Sequence, residues 1–138
     1  MAKNKLLDPY AQIAAMRLRF PQFKVKQTSI LDVEFIGTLQ VRWDFPIYKV
    51  LVHYRGDVRP IVKILSPEIS KSRPHWHSDV DEPCLYKNTD YSWNKRRLIA
   101  NDIIPWLAGW IYFYEMWLRT GKWLGPEAEH DKPVNNAA

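Results

Sequence analysis

The feature that most constrains this chain is the regular spacing of apolar side chains between residues 48 and 55. The apolar members recur at every second position and are Tyr48, Val50, Val52 and Tyr54. Since neighbouring side chains of an extended chain point to opposite faces, this run predicts a strand with one buried face. Arg55-Gly56-Asp57 then predicts a tight turn, and the strand expected after it carries Ile61, Ile64 and Leu65. A chain with this pattern is expected to fold around an antiparallel sheet.

Residues 24–43 extend the same pattern towards the N-terminus. Two alternating apolar sets lie there, Leu31, Val33 and Phe35 followed by Leu39, Val41 and Trp43. Gly37 separates the two sets and predicts a turn or a bulge. Three strand-like segments joined by short connections predict an antiparallel meander.

A helix is predicted on the N-terminal side of the strands. Asp8-Pro9 predicts its start, because an acidic residue caps a helix and proline suits the first helical position. Phe20-Pro21 predicts its end, since proline disfavours helical geometry in the residue before it. The inner face is expected to carry Tyr10, Ile13, Ala14 and Leu18.

A long, largely buried helix is predicted after the strands. Ser92 is its expected N-cap, Pro105 predicts a kink or the start of a second helix, and Gly121 is placed for a C-cap. Two parallel apolar stripes mark the buried faces: Leu98, Ile99, Ile103, Trp106, Trp110, Phe113 and Trp117, and beside them Ile104, Leu107, Ile111, Tyr114 and Leu118. The face expected to be more exposed to solvent carries Tyr112, Glu115 and Arg119.

The length of 138 residues suits one α+β domain, which we predict over residues 1–125, with a disordered tail over residues 126–138. A single cysteine excludes an internal disulfide and suits a reducing cytoplasm. The N-terminal residues lack the apolar run of a signal peptide. The most apolar stretch, Ile103–Leu118, is shorter than the roughly 18–20 residues of a membrane span and contains Glu115. A soluble, cytoplasmic protein is therefore expected.

The net charge of +5 permits an acidic partner such as nucleic acid. The basic residues are scattered, however, apart from Lys95-Arg96-Arg97 and the pair Lys24 and Lys26. No arginine-rich tract is present. The composition therefore favours a solvated basic surface over a nucleic-acid interface.

The candidate site lies in and just after the segment from Pro67 to Pro83, which is predicted to be loop because it has few aliphatic residues. Long loops in compact domains are often functional. This one holds His75 and His77 and is closed by Cys84, which a substrate could reach as a nucleophile with the histidines sharing protons or stabilising an oxyanion.

Two other interpretations stay open on the residues alone. His75, His77, Cys84 and His130 offer donor types that suit zinc, although no pair has the usual structural spacing. Alternatively, the segment is an irregular loop whose histidines form hydrogen bonds and whose cysteine is a small buried hydrophobe.

The order of elements resembles that of the ubiquitin-conjugating enzymes. In that family a histidine motif shortly precedes the catalytic cysteine, an aliphatic residue follows it, and a tryptophan comes after a short loop. Here His75 lies nine residues before Cys84, Leu85 follows directly, and Trp93 comes nine residues later. The first helix and the meander fit as well, so the resemblance covers most of the chain.

A closer resemblance is to compact bacterial members of cyclic-oligonucleotide-based anti-phage signalling (CBASS) operons. The segments that carry it are Pro74-His75, Cys84-Leu85-Tyr86, Ile104-Pro105-Trp106, Tyr-Glu-Met-Trp-Leu at 114–118 and Thr-Gly-Lys-Trp-Leu-Gly at 120–125. The chain is similar to the stand-alone short type, which lacks fused activating and deconjugating domains.

This resemblance implies a ubiquitin-conjugating-enzyme-like fold with an N-terminal helix, a β-meander, a catalytic-cysteine loop and C-terminal helices. It implies that Cys84 forms a thioester with the C-terminus of a cGAS-like nucleotidyltransferase and promotes its conjugation or priming. His75 is then the organiser of the loop and a possible donor, and His77 is a further catalytic candidate. No cofactor or metal is implied.

The eukaryotic motif is His-Pro-Asn, with its asparagine amide assigned to the oxyanion, whereas Trp76-His77 occupy the last two places here. Either His77 or backbone amides then supply the donor, or transfer to lysine is lost and only a covalent complex forms. Trp93 is expected to pack behind the site. Candidates for tuning an incoming lysine are Asp81, Asn88 and Asp90.

A non-enzymatic alternative is a scaffold of the same fold. In this case exposed aromatic residues would dock the nucleotidyltransferase without acyl transfer.

Overall fold

The computed structural model describes the backbone of residues 2–85 and 92–125 and the side chains of residues 9–85 and 92–125. Helix α1 (Ala2–Arg19) precedes an antiparallel sheet of four strands in the order β1-β2-β3-β4. These strands are β1 (Lys24–Gln27), β2 (Asp32–Leu39), β3 (Tyr48–Arg55) and β4 (Val58–Ser66). A hairpin of β5 (Trp76–His77) and β6 (Glu82–Pro83) follows, then a π-helical turn (Ile99–Ile103) and helix α2 (Ile104–Thr120). The predicted α+β class and antiparallel meander are confirmed.

Strand β3 is one of the two inner strands of the sheet and pairs with β2 and β4. Its four alternating apolar side chains are fully buried, as the period-two pattern predicts: Tyr48, Val50, Val52 and Tyr54. Gly56 turns the chain into β4 with a φ of 71°, a left-handed conformation that glycine adopts at little cost. The predicted turn at residues 55–57 is therefore confirmed.

The prediction of a turn at Gly37 is wrong. Gly37 lies inside β2 opposite Val50, and a Cβ atom at this position would lie 2.6 Å from Cγ of Phe23. The glycine is present because an aromatic side chain crosses the strand there. The actual turn occupies the residues between β1 and β2, where the Thr28 amide donates to the Asp32 carbonyl oxygen at 3.0 Å.

The alternating pattern also fails at both ends of β2. Leu31 precedes the strand and Trp43 follows its last residue, Leu39, so neither belongs to the paired region. Both side chains are exposed, Trp43 to 86%. Apolar alternation alone therefore overestimates the length of the strand.

Helix α1 begins at Ala2, so the predicted start at Asp8-Pro9 is wrong, and Pro9 lies inside the helix. Residues 2–7 include alanine, lysine and leucine, whose helix propensity extends the helix beyond the proline. The helix ends at Arg19, which confirms the end predicted from Phe20-Pro21.

The predicted inner face of α1 is confirmed only at Ile13, which packs against the core. Tyr10, Ala14 and Leu18 are exposed, while Gln12 and Met16 are buried. The Gln12 side chain accepts the N–H of Ile99 at 2.9 Å and donates to the carbonyl oxygen of Arg97 at 2.7 Å. A polar residue thus faces inwards because it satisfies backbone groups that lie just before and within the π-helical turn.

Helix α2 begins at Ile104 rather than near Ser92, because the chain at Leu98 is still extended. Pro105 lies in its first turn, which confirms the second of the two predicted roles of this proline. Gly121 ends the helix with a φ of 77°, and its amide donates to the carbonyl oxygen of Trp117 at 2.8 Å. The predicted C-cap is confirmed.

Glu115 is only 4% exposed, so its predicted place on the wetter face of α2 is wrong. Its carboxylate accepts a short hydrogen bond from the Tyr48 hydroxyl and lies 2.8 Å from the Arg119 guanidinium. Burial, and then the hydrogen bond to Glu115, raise the pKa of Tyr48. A paired buried carboxylate connects the sheet to the last turns of α2.

The hydrophobic core joins the buried face of the sheet to α2 and the π-helical turn, and includes Phe35, Val52, Ile99, Ile104, Leu107 and Ile111. Within residues 2–85 and 92–125, no helix has both the length and the apolar character needed to cross a membrane. Residues 126–138, where the tail is predicted, lie outside the described residues.

Candidate functional site

The candidate site is built on the segment between β4 and the π-helical turn. The loop predicted over Pro67–Pro83 contains the hairpin β5–β6, in which Trp76 pairs with Pro83 and His77 pairs with Glu82. Strands of two residues are too short for periodicity to reveal. Because Cys84 directly follows β6, the hairpin fixes the position of the cysteine.

A buried carboxylate attaches this hairpin to the main sheet. Oε1 of Glu82 accepts the N–H of Val62 on β4 at 2.9 Å. Lys63 Nζ donates to the carbonyl oxygen of Asp81 at 3.4 Å. Since β4 is an edge strand, its outward N–H groups need partners from outside the sheet. These bonds therefore couple Cys84 to the rigid part of the fold.

The turn of the hairpin is held by the side chains of Arg73, Trp76 and Asp81. Trp76 Nε1 donates to Asp81 Oδ1 at 3.1 Å, and the Arg73 guanidinium lies 3.6 Å from the same oxygen. Arg73 also lies 4.7 Å from the centroid of the Trp76 ring, in a cation–π contact. Asp81, a predicted candidate for tuning a lysine, thus stabilises the turn. The other two candidates, Asn88 and Asp90, lie outside the described residues.

The main chain of His75 is the centre of the site. Its carbonyl oxygen accepts the backbone N–H of Cys84 at 2.9 Å and the indole N–H of Trp110 at 3.0 Å. Its φ of 55° lies in the left-handed region, which histidine adopts more readily than most residues. One carbonyl group thereby connects the histidine, the cysteine and helix α2.

The imidazole of His75 lies against Trp123, with ring centroids 4.5 Å apart and an interplanar angle of 36°. Trp123 follows the left-handed C-cap at Gly121 and also contacts Trp110 and Phe113. The segment after α2 therefore returns over the helix and covers the histidine.

Cys84 lines a groove of about 150 Å³. Leu85 and Trp123 form its walls beside the cysteine. Helix α2 contributes the opposite side with Pro105, Trp106, Gly109, Trp110 and Phe113. Every described side chain that lines the groove is uncharged. The sulfur-bearing residue therefore lies in a predominantly apolar, aromatic environment.

The sequence predicts a cysteine that a substrate can reach at the end of a polar loop. The structure leaves Cys84 only 9% exposed. It is thus mostly buried, and the groove that it lines offers a ligand a route to it.

His77 lies on β5 and is half-buried. Together with Arg59, Glu82 and Pro83 it lines a separate small cavity of about 10 Å³. Leu85 lines both this cavity and the groove. The backbones of His75 and Cys84 are joined directly by a hydrogen bond, whereas His77 lines the separate small cavity and is not among the described residues that line the groove.

Trp93 packs on the turn between β3 and β4. Its indole N–H donates to the Gly56 carbonyl oxygen at 2.9 Å, and its ring meets Tyr54 edge to face at 6.2 Å. It is not among the described residues that line the groove. Trp93, which is expected to pack behind the site, therefore packs against the sheet and the turn at Gly56.

The zinc interpretation rests on histidines and the cysteine meeting at one point. Among the residues that the structure describes, no group of three or more histidine, cysteine, aspartate or glutamate side chains is arranged to hold a metal ion. His130 lies outside those residues.

Sequence reasoning did not identify Trp110, Trp123 and Gly109 as parts of the site. Trp110 is predicted to be core, because a long apolar stripe predicts burial without specifying a neighbour. Trp123 is noted only as part of the segment at 120–125 that carries the family resemblance. Gly109 carried a usable signal: a glycine inside a helix costs roughly 1 kcal/mol relative to alanine and usually has a packing or functional reason. A Cβ atom at Gly109 would meet no atom within 4 Å, so this glycine lies beside open space.

One comparison relates the chain to a known protein family. Residues 12–131 match the model of a family described as type II CBASS E2 protein. This match spans most of the chain and includes both Cys84 and helix α2. No curated protein matches the chain.

Proposed function

Because the chain belongs to the type II CBASS E2 family, we propose that it is a cysteine-dependent acyl transferase whose thioester forms at Cys84. Membership gives it a ubiquitin-conjugation-like role in CBASS. The proposed acyl donor is the C-terminus of the operon's cGAS-like nucleotidyltransferase, which the reaction conjugates or primes in the cytoplasm. The observation that carries the proposal is the position of Cys84 on a groove, held by an anchored hairpin.

The proposed chemistry has two steps. The Cys84 thiolate attacks the carbonyl carbon of an activated C-terminus, an adenylate or a thioester, so that a C–S bond forms and the bond to the leaving group breaks. An amine then attacks the thioester, a C–N bond forms, and the thiolate leaves. Proton transfer to and from solvent or a nearby base balances both steps.

His75 is proposed to act mainly through its backbone. Its carbonyl oxygen positions the amide of Cys84 at 2.9 Å, and its ring packs on Trp123. His77 is proposed as an oxyanion donor, with backbone amides as the alternative. His77 lines a different cavity from the one that Cys84 lines, which favours the amides.

The proposal is tested by mass spectrometry of the intact protein co-expressed with the nucleotidyltransferase of its operon and any activating enzyme encoded there. The wild-type chain is expected to form an adduct whose mass is the sum of the two proteins less one water, and which a thiol reagent cleaves. Cys84→Ser is expected to form no thiol-sensitive adduct. A wild-type chain that binds its partner without any adduct would refute the transferase proposal.

The histidine roles separate in a set of three variants. His75→Asn keeps a residue that tolerates the left-handed conformation and is expected to retain adduct formation, whereas His75→Val is expected to lose it because a β-branched residue resists a φ of 55°. His77→Ala slows the transfer to lysine if its imidazole serves the oxyanion, and has no effect if backbone amides do. His53→Ala is the control, since His53 lies on β3 beside Asp32.

One observation favours the scaffold alternative. The Trp43 side chain is 86% exposed and Ile47 in the same connection is 60% exposed, as expected of a docking surface. If Cys84→Ser leaves defence against phage intact and Trp43→Ala abolishes it, the chain acts as a scaffold. The transferase proposal predicts that Cys84→Ser abolishes defence.

A further inference from the structure

We propose that the groove beside Cys84 is a specificity pocket for an uncharged, apolar side chain within the last two residues of the acyl donor. This inference rests on the proposed thioester at Cys84 and adds to it the chemical class of the tail that can react. Gly109 is the residue that keeps the pocket open.

The geometry places the acyl group and the pocket side by side. Cys84 is one of the residues that line the groove. The proposal places an acyl carbon bonded to its sulfur at the groove, with the residues that precede this carbon along the groove lining. The first side chain large enough to fill the space enters it.

The lining determines what kind of side chain is accepted. The described side chains that line the groove are aromatic, aliphatic or prolyl apart from the cysteine thiol. A charged group that entered would lose its hydration and meet no opposite charge among them, which is strongly unfavourable. An apolar group would gain from leaving water.

The size of the groove sets the upper limit. Its volume is about 150 Å³, and an apolar cavity of roughly that volume accommodates a benzene molecule. Leucine, isoleucine, methionine and phenylalanine side chains are of this order. A glycine or an alanine in the tail would leave the space unfilled.

Gly109 controls the available volume. It lies on α2 in the groove lining, and a Cβ atom there would meet nothing within 4 Å. A methyl group can therefore be added without displacing neighbouring atoms. It would take up the room that the donor side chain needs.

The test uses short acetylated peptides activated as C-terminal thioesters of mercaptoethanesulfonate. Transfer exchanges one thioester for another: the Cys84 thiolate attacks the peptide carbonyl carbon, and mercaptoethanesulfonate leaves as a thiolate. Two series, Gly-X-Gly and Gly-Gly-X, place the variable residue X at each of the last two positions. X is alanine, leucine, phenylalanine, aspartate or lysine, and the rate of transfer to the protein is measured by mass spectrometry.

The wild-type chain is expected to accept leucine or phenylalanine about tenfold faster than alanine in at least one series, the usual size of discrimination by an apolar pocket. Aspartate and lysine are expected to react more slowly than alanine. Gly109→Leu should reduce the advantage of leucine and phenylalanine to within about twofold of alanine, with the rates compared between peptides within each variant.

The variant Gly109→Ala tests whether a reduced preference could result from loss of folding. Alanine in a helix interior is more favourable than glycine, so this variant is expected to melt at an equal or higher temperature. It should still lower the preference for phenylalanine over alanine. A folded variant with reduced preference supports the pocket even if Gly109→Leu fails to fold.

The possible failures are distinguishable. Equal rates for alanine, leucine and aspartate with the wild-type chain, or an unchanged preference in both Gly109 variants, overturn the pocket. If no peptide thioester transfers to the wild-type chain while free cysteine reacts, the proposed thioester chemistry is refuted, and the pocket with it.

Discussion

Replacing Gln12 by leucine tests how α1 supports the site. The Gln12 amide satisfies two backbone groups, the N–H of the fully buried Ile99 and the carbonyl oxygen of Arg97. Leucine has a similar size but offers no polar atom, so both groups lose their partner. An unsatisfied buried group costs about 1–3 kcal/mol. Since Arg97 is exposed and water can reach its carbonyl group more readily, we expect a total loss of about 2–4 kcal/mol.

The assay is equilibrium unfolding in urea, followed by the fluorescence of the tryptophans, with linear extrapolation to water. Arg17→Leu is the control, because Arg17 is exposed on the same helix and surface substitutions change stability by only about 0.5 kcal/mol. If Gln12→Leu lowers the free energy of unfolding by less than about 1 kcal/mol, the two backbone groups do not depend on the amide and the reasoning is wrong.

Three further predictions concern single side chains. Burial raises the pKa of Tyr48 above its ordinary value of 10.0, so the neutral hydroxyl contributes stability below about pH 10 that is lost as the pH rises towards the folded-state pKa. Above about pH 10 the unfolding free energy of the wild-type chain should therefore fall with pH more steeply than that of Tyr48→Phe, by up to about 1.4 kcal/mol per pH unit. Parallel curves of unfolding free energy against pH for the two proteins would contradict this prediction. Trp110→Phe keeps a ring but removes the indole N–H, at about 1 kcal/mol for the hydrogen bond plus the lost ring area. Under conditions where the variant is fully folded, Trp110→Phe should slow thioester formation at Cys84. An unchanged rate would exclude a positioning role for the Trp110 indole N–H. Gly37→Ala forces a methyl group onto Phe23 and should lower the unfolding free energy by about 1–3 kcal/mol, so a neutral result in urea would count against the close approach.

The parts of the fold that could be predicted are those fixed by neighbours in sequence. Strand β3 and the turn at Gly56 follow from a period of two and from a residue that accepts a positive φ. The roles of Pro105 and Gly121 follow from the chemistry of helix ends. In each case the physical cause lies within a few residues of its effect.

Three places where the sequence predictions fail share the opposite property. Gln12, Gly37 and Glu115 are each explained by a partner far away in sequence: the π-helical turn, the Phe23 ring and the Tyr48 hydroxyl. Polarity and helix period assign such residues to the surface or to a turn. Only the tertiary partner shows that they belong inside.

The same division holds at the candidate site. The order of residues along the chain predicted that His75 and Cys84 belong to one site, and in the structure a hydrogen bond joins their backbones. It could not show that Trp110 donates to the same carbonyl group, or that Trp123 covers the imidazole, because those residues come from the far end of the chain. Stripes of apolar residues predict that a tryptophan is buried, but not which atom its N–H meets.

The burial of Cys84 gives these contacts a common consequence. Cys84 is only 9% exposed, so under the proposed mechanism a reaction partner places its reacting carbon in the groove that Cys84 lines. Burial of an apolar tail beside the sulfur can supply the free energy for this placement, at roughly 25 cal/mol for each Å² removed from water. Binding of a suitable donor tail in the groove then also brings the donor's carbonyl carbon to the thiolate. For this reason a change at Gly109, which leaves the sulfur untouched, is expected to alter which tails react.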